Sequence, residues 1–221
     1  MIEKVRSGLA ARANPEKAPG MQAYMKSAMP FLGVQKPARD ELARELFGEP
    51  LTFSAWHDSV LELWRGATYR EERYMALALA GDRRYREHRT MAALPLFDEL
   101  IVTGAWWDFV DAVATGMLGE LLDRDAALAP VLRRWSTDDD MWRRRASIIA
   151  QVRRKQRTDL ALLYDCIEPN RGDREFFIRK AIGWALRSYA WVDPEEIVRY
   201  CAAHELSTLS RREALRNVKP R

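Results

Sequence analysis

Apolar residues recur at helical spacing along nearly the whole chain, and this periodicity most constrains what the chain can fold into. Alternating strand-like runs closed by Asn-Gly or Asp-Gly turns are absent from the sequence. Helices separated by Pro- and Gly-containing breaks are predicted at about residues 2–13, 21–29, 36–47, 53–65, 70–81, 88–103, 106–119, 124–135, 139–154, 158–167, 174–189, 193–203 and 209–217. The sequence therefore predicts an all-α chain.

Four segments of the chain align without gaps at a period of 35 residues, namely residues 72–77, 107–112, 142–147 and 177–182. Each is predicted to be the second helix of a two-helix unit, and such a period is typical of an α-solenoid. The tetratricopeptide pattern is not met. We expect a single domain over residues 1–221, an α-α superhelix of HEAT-like two-helix repeats with a concave basic groove.

One aligned column is broken by an acidic residue, because Asp111 stands where the other repeats have Ala76, Ala146 and Ala181. Three small apolar residues indicate a crowded surface between helices, where an unpaired carboxylate costs several kcal/mol to desolvate. Asp111 is therefore a candidate functional residue. The alternative is that it caps a helix or pairs with a neighbouring Arg.

A second column turns basic along the chain, from Met75 and Val110 to Arg145 and Lys180. The net charge changes sign at the same place. Residues 1–140 hold 18 basic and 22 acidic residues, which gives a net charge of −4. Residues 141–221 hold 18 basic and 10 acidic residues, which gives a net charge of +8. We expect an anion in the groove to meet both cations, and a polyanion as the partner of the basic part.

Aromatic residues accompany these charges. Trp107 lies four residues before Asp111, which puts indole and carboxylate on one helix face. Trp184, two repeats further on, can approach the same groove, whereas Trp142 and Phe177 are interpreted as core residues. A carboxylate beside aromatics and cations suits chemistry on a nucleoside within nucleic acid.

Composition excludes several other classes of protein. No apolar run approaches the roughly 18–20 residues of a membrane span, and residues 1–19 lack the apolar core of a signal peptide. The two cysteines cannot form a disulfide framework and suit a reducing compartment. The three histidines have no metal-ligand spacing. We expect a cytoplasmic protein without a metal or cofactor.

Several motifs resemble the AlkD family of DNA alkylation-repair glycosylases, which are HEAT-like repeat proteins. The similarity runs in order from about residue 21 to the C-terminus, and it rests on Ala23-Tyr24-Met25-Lys26, Phe31-Leu32-Gly33-Val34-Gln35-Lys36-Pro37, Trp106-Trp107-Asp108-Phe109-Val110-Asp111, Trp142-Arg143-Arg144-Arg145-Ala146-Ser147-Ile148, Glu175-Phe176-Phe177-Ile178-Arg179-Lys180-Ala181-Ile182-Gly183-Trp184 and Leu209-Ser210-Arg211-Arg212-Glu213-Ala214.

The resemblance implies excision of cationic N3- and N7-alkylated purines from duplex DNA. We expect a monofunctional enzyme, because no lysine suited to an abasic-site lyase stands out in the sequence. By motif position, Asp111 resembles the catalytic carboxylate and Trp107 and Trp184 the aromatics that flank the lesion. Arg145 resembles a cation that meets the DNA backbone. Residues expected near or on DNA also include Tyr24, Gln35 and Lys180, and Asp40 after Arg39 departs from the family pattern.

The sequence leaves two other functions open. A non-enzymatic helical-repeat scaffold for protein partners is the commonest use of such repeats, and it requires neither an acid in an alanine column nor a basic groove. A DNA-recognition module could retain Asp111 without catalysis. For the DNA glycosylase we expect a monomer that acts on double-stranded DNA.

Overall fold

The computed structural model describes residues 1–48 and 50–218. They form two compact units, Met1–His88 and Arg89–Arg221, and the prediction of a single domain stays a prediction. Helices of the first unit are α1 (Ile2–Ala11), α2 (Ala18–Met25), α3 (Lys36–Leu46), α4 (Phe53–Arg65) and α5 (Arg70–Gly81), followed by a 3₁₀ segment, Arg83–His88.

The second unit continues the helical pattern. A 3₁₀ turn, Met91–Ala93, precedes its α-helices, which are α6 (Leu94–Gly104), α7 (Trp107–Ala112), α8 (Gly119–Arg124), α9 (Leu128–Trp135), α10 (Met141–Ile149), α11 (Leu160–Ile167), α12 (Phe176–Tyr189), α13 (Pro194–Ala203) and α14 (Thr208–Ala214). A π-helical segment, Val113–Leu118, joins α7 to α8, and short 3₁₀ segments lie at Lys155–Arg157 and Glu168–Asn170. Over the described residues there is no β-strand, which confirms the all-α prediction.

The four aligned segments lie where the repeat predicted them, in the second helix of each pair. They fall in α5, α7, α10 and α12, which follow α4, α6, α9 and α11 along the chain. In the alanine column Ala76, Ala146 and Ala181 are fully buried, as expected for close helix packing. The helices of the first three pairs, α4 with α5, α6 with α7 and α9 with α10, pack on each other, so the two-helix repeat is there a property of the fold.

Several helices end elsewhere than predicted. The helix expected at about residues 21–29 ends at Met25, because Lys26 adopts a left-handed conformation with φ 49° and ψ 39°. The 3₁₀ segments Arg83–His88 and Met91–Ala93 occupy the region where the helix was expected to begin, so α6 starts only at Leu94, with Pro95 in its first turn. The segment expected to end near residue 119 continues through the π-helical turns to Arg124. Periodicity predicts that a helix exists better than it predicts where the helix ends.

In the second unit α10 is the central helix, with α6, α7, α9, α11 and α12 packed against it. In turn, α12 packs closely on α14, and Gly183 permits this approach. A Cβ at Gly183 would lie 2.5 Å from the Cβ of Glu213 and 2.9 Å from the carbonyl oxygen of Ser210. These packed helices fix the side chains of the candidate site.

Candidate active site

Three neighbouring helices hold the candidate site, because α10 packs against both α7 and α12. Asp111 lies in the last turn of α7, Arg145 in the middle of α10 and Phe177 in the first turn of α12. The start of α10 is fixed by Asp140, whose carboxylate accepts hydrogen bonds from the backbone N–H groups of Trp142 and Arg143, at 2.8 and 2.9 Å. This cap sets the register that points Arg145 at α7.

Arg145 and Asp111 form a bidentate ion pair. Nε of Arg145 donates to Oδ1 of Asp111 at 2.8 Å, and Nη2 donates to Oδ2 at 2.8 Å. The Asp111 side chain is 17% exposed and that of Arg145 only 6%. Two parallel charge-assisted bonds of this kind fix the plane of a carboxylate as well as its position.

A third hydrogen bond fixes the guanidinium from the other side. Nη1 of Arg145 donates to the carbonyl oxygen of Phe177 at 2.6 Å, and the guanidinium carbon lies 5.8 Å from the centre of the Phe177 ring. Arg145 thus links α7, α10 and α12 through its side chain. The arrangement matches the alternative left open by the sequence, in which Asp111 pairs with an Arg, and it also presents a rigidly held carboxylate.

The environment of Asp111 raises the pKa of its carboxyl above the ordinary 3.8. Burial is the largest cause, and the nearby charge of Asp108 adds to it, whereas the hydrogen bonds and charge of Arg145 act in the opposite direction. Water is therefore largely kept from this carboxylate, and its charge acts at short range with little screening.

The chain changes its helical form directly after Asp111. Residues Val113–Leu118 are π-helical, and the hydroxyl of the buried Thr115 donates to the carbonyl oxygen of Asp111 at 2.8 Å. Single π-helical turns occur frequently at functional sites. No pattern in the sequence predicted this segment.

Trp107 and Trp184 are each partly exposed. Trp107 is the first residue of α7 and lies one helical turn before Asp111, as the sequence predicted, while Trp184 lies near the middle of α12. Both helices pack against α10, which carries Arg145. The structure thus places both indoles on helices that contact the helix of the buried ion pair.

Three aromatic rings pack together where α7, α10 and α12 meet. The ring centres of Trp106 and Phe177 lie 5.4 Å apart, those of Trp142 and Phe177 5.2 Å, and those of Trp106 and Trp142 6.3 Å. Trp142 is only 8% exposed, which confirms its interpretation as a core residue. Sequence reasoning missed Trp106, whose only signal was its position before Trp107.

Lys180 has a carboxylate of the chain itself as partner. Its Nζ lies 3.1 Å from Oε1 of Glu213 on α14, and Arg187 binds the other oxygen of the same carboxylate. Burial alone would raise the pKa of Glu213, but the hydrogen bonds from these two cations lower it. The Lys180 side chain remains 37% exposed. Contacts of Lys180 and Arg145 with DNA stay predictions.

Tyr24 and Gln35 belong to the first unit, where they line one cavity of about 200 Å³ with Arg39 and Tyr74 among their neighbours. Tyr24 is 76% exposed. Gln35 precedes α3 and its Oε1 accepts a hydrogen bond from Nζ of Lys17 at 2.6 Å. Both side chains are thus positioned at a surface cavity, while their contact with DNA stays a prediction.

A buried carboxylate holds the loop that carries Gln35. Glu71 is fully buried and accepts hydrogen bonds from the backbone N–H groups of Leu32, Gly33 and Val34, at 3.0, 2.9 and 3.0 Å. Gly33 is required there, because its φ is +84° and a Cβ would lie 2.0 Å from the carbonyl oxygen of Asn14. The motif at residues 31–37 therefore includes a loop whose conformation is held by Glu71 and requires Gly33.

Asp40, the residue that departs from the family pattern, forms an ion pair with Lys36 one helical turn earlier. Both side chains are exposed, with 50% of Asp40 and 75% of Lys36 accessible. A cation beside the cavity of Tyr24 and Gln35 is thus already neutralised. This lowers the positive charge that α3 offers to an anionic partner.

Neither a metal site nor a membrane span is present in the part of the chain that the structure describes. Residues 1–48 and 50–218 include no group of three or more His, Cys, Asp or Glu side chains placed to hold a metal ion. None of their helices combines the length and the apolarity that a bilayer crossing requires. Cys166 and Cys201 are buried free thiols, and burial raises the pKa of Cys166 to about 12.

Comparison with known proteins gives a consistent result. A model of the family described as "DNA alkylation repair enzyme" matches residues 5–218. The fold is similar to that of a solved structure described as "Predicted DNA alkylation repair enzyme from Enterococcus faecalis", with a TM-score of 0.87 and 29% sequence identity over 95% of this chain and 98% of that one. No curated protein shows significant similarity to the chain.

Proposed function

Because the chain belongs to the DNA alkylation repair enzyme family, we propose that it is a monofunctional DNA glycosylase that excises cationic N3- and N7-alkylated purines, such as 3-methyladenine and 7-methylguanine, from duplex DNA. The observation that carries this proposal is the Asp111 carboxylate, which stands in a column of buried alanines, is only 17% exposed and is held by both oxygens to Arg145. A protein scaffold requires no such group at a helix-packing position.

The chemistry of the substrate explains why one carboxylate suffices. An N3- or N7-alkylpurine is positively charged, so its N-glycosidic bond is weak and the base leaves without protonation. As the bond lengthens, positive charge moves onto the deoxyribose, which becomes oxocarbenium-like, as in glycoside hydrolysis. The fixed charge of Asp111 stabilises this cation and orients the water that attacks the sugar.

Arg145 acts in this proposal as the residue that positions Asp111. Its two hydrogen bonds favour the ionised carboxylate and set its plane, while the bond to the Phe177 carbonyl oxygen prevents the guanidinium from turning away. Carboxylate oxygens have further lone pairs, so water or a cationic sugar can be bound beside the ion pair. A preorganised charge needs little rearrangement when the transition state forms.

Trp107 and Trp184 provide the aromatic faces of the proposed site. The face of an indole attracts a cation by about 0.5–2 kcal/mol, depending on how far both are desolvated. Each ring can therefore hold the lesion nucleotide while its base or sugar carries positive charge. Holding the sugar in place also reduces the entropic cost of the reaction.

Recognition of DNA is proposed to rest on the backbone. Lys180 from the second unit and Tyr24 and Gln35 from the first are the proposed DNA-binding residues, and phosphate contacts make affinity fall with rising salt. The expected backbone contact of Arg145 is not part of the proposal, because its side chain is only 6% exposed and donates to Asp111 and Phe177. Lability of the cationic base then replaces recognition in a base pocket. We expect the enzyme to act as a monomer, without a cofactor, on DNA in the cytoplasm.

An excision assay tests this proposal directly. Purified protein is incubated with duplexes that contain 7-methylguanine, uracil or hypoxanthine, and released bases are measured by chromatography. We expect release of 7-methylguanine and little release of the neutral bases. Comparable rates for a neutral base would contradict the proposed selectivity. A borohydride-trapped covalent complex would contradict the monofunctional mechanism.

The same assay with Asp111→Asn separates the competing functions. Loss of excision with retained DNA binding in the variant supports the enzyme. Binding by the wild type without any excision supports a DNA-recognition module, and absence of both supports a protein scaffold.

A further inference from the structure

One side of α12 alternates cations and indoles. At about 100° per residue, helical geometry places Lys180, Trp184 and Arg187 within a sector of about 60°. Ala190 follows the last residue of α12 with φ −59° and ψ −18°, which are helical angles. Trp191 follows Ala190 in the turn that ends α12, seven residues after Trp184, and the same angular spacing extended over this turn places it in that sector.

Trp191 is unusually accessible for its residue type. It is 75% exposed, whereas Trp184 is only partly exposed and Trp56 and Trp64 in the first unit are almost fully buried. Contact with water costs an indole roughly 25 cal/mol per Å² of apolar surface. A single exposed apolar residue is common on proteins, so exposure alone carries no function. Its position at the end of the cation–indole face is the distinguishing observation.

The charges of this face indicate the kind of partner. Lys180 and Arg187 share one carboxylate, Glu213, so the three side chains leave a net charge of +1 beside two indoles. A purely apolar partner would cover this net positive charge without supplying a counter-charge for it. A DNA strand presents phosphates to the cations and the apolar edges of deoxyriboses to the indoles. Basic residues interleaved with aromatics suit such a strand.

We propose that Trp191 is a DNA-contacting residue that packs against the sugar–phosphate backbone of the duplex, beyond the nucleotide held by Trp184. This inference rests on the proposed function. Seven helical residues span about 10.5 Å, which corresponds to about three nucleotide steps of 3.4 Å along a strand that runs beside α12. Trp191 thereby extends the binding surface to one side of the lesion.

The spacing gives a test based on duplex length. Wild type, Trp191→Ala and Trp191→Phe are titrated by fluorescence anisotropy against duplexes with a stable abasic-site analogue. One duplex has about eight base pairs on both sides of the site, and two others are shortened to about two base pairs on one side, less than the three-step reach of Trp191. Val198→Ala, an apolar residue of α13 that is 44% exposed, serves as the matched control.

We expect Trp191→Ala to bind the long duplex roughly tenfold more weakly than wild type, which corresponds to about 1.4 kcal/mol. The difference should fall to about twofold on one of the shortened duplexes and stay large on the other, because only one side reaches Trp191. Trp191→Phe and Val198→Ala should bind like wild type. Equal affinities of Trp191→Ala and wild type on the long duplex, or an equal loss on all three, would overturn the inference.

Two further readouts identify the cause of a failure. Excision of 7-methylguanine by the wild type tests the proposed function independently of Trp191. If the wild type excises the base but Trp191→Ala binds DNA as tightly as the wild type, only the inference about Trp191 is overturned. A wild type that neither excises nor binds overturns both proposals. Sedimentation velocity shows whether Trp191 joins two protein chains, and self-association lost in Trp191→Ala without a change in DNA affinity would also overturn the inference.

Discussion

Arg145 binds both carboxylate oxygens of Asp111, at 2.8 Å each, from the neighbouring helix α10. The pair joins two successive repeats through adjacent columns of the 35-residue period, since Arg145 stands one position before the equivalent of Asp111, which is Ala146. Asp111 is therefore both one partner of a structural ion pair and the carboxylate proposed for catalysis. Each role predicts a different response to mutation.

Removal of the guanidinium should destabilise the fold, because the buried carboxylate then has no counter-charge. For Arg145→Met we expect the free energy of unfolding to fall by about 3–5 kcal/mol, measured by urea denaturation. The matched control is Arg174→Met, since Arg174 is exposed, and its effect should stay within about 0.5 kcal/mol. Equal stabilities of Arg145→Met and wild type would show that the pair does not hold α7 to α10.

Activity should depend on the ionisation of Asp111. Its pKa is raised above 3.8, mainly by burial, and the proposed mechanism requires the ionised form. The excision rate should therefore fall as the pH drops, with a midpoint above 3.8. In Arg145→Lys, where one ammonium replaces the bidentate partner, the midpoint should move to higher pH. Single-turnover excision rates between pH 4 and pH 8, corrected for spontaneous depurination, measure this midpoint. A midpoint that is the same in Arg145→Lys and in the wild type would show that Arg145 does not influence the pKa of Asp111.

The two proposed aromatic contacts should affect excision individually. Replacement of Trp107 or Trp184 by Leu keeps an apolar side chain but removes the π face, so each should cost about 0.5–2 kcal/mol in transition-state stabilisation. This corresponds to rates lower by roughly 2- to 30-fold. Phe at the same positions should retain much of the rate, and Leu variants as fast as the Phe variants would exclude a cation–π contribution.

Glu213 should stabilise the contact between α12 and α14 in a pH-dependent way. Its pKa lies below 4.5, because the bonds from Lys180 and Arg187 outweigh the effect of burial. A lowered pKa contributes stability that is present above pH 4.5 and is lost as the pH falls through the lowered value. At pH 7, Glu213→Gln should cost about 1–2 kcal/mol, since the cations are partly exposed.

Urea denaturation at several pH values measures this difference between Glu213→Gln and wild type. The difference should narrow as the pH drops below about 4.5. Glu205→Gln, which replaces an exposed carboxylate, is the control and should show little change at any pH. A difference that is constant with pH would mean that the carboxylate acts through packing and not through its charge.

The sequence predicted most of the architecture because helical periodicity and a 35-residue repeat are local patterns. It also marked Asp111, since a carboxylate in an alanine column is visible without coordinates. The partner of that carboxylate stayed an open alternative. Whether Arg145 meets Asp111 or a phosphate depends on the register between α10 and α7, which no local pattern determines.

The remaining features of the site depend on similar contacts between helices. The bond from Arg145 to the Phe177 carbonyl oxygen and the sharing of Glu213 by Lys180 and Arg187 each join helices distant in the chain. The π-helical turns after Asp111 replace an expected regular helix. Composition and spacing predict none of these, because the energies that decide them come from packing of specific pairs of helices.

The most direct test of the account is the single-turnover rate at which 7-methylguanine is released from duplex DNA by the wild type and by Asp111→Asn. Asn has nearly the same shape as Asp but no charge, so binding of the duplex should be retained. We predict that the rate falls by roughly 100- to 1,000-fold, in line with the loss of one electrostatic contributor of about 2.7–4 kcal/mol. A variant that excises the base at the wild-type rate would contradict the central role of the Asp111 carboxylate.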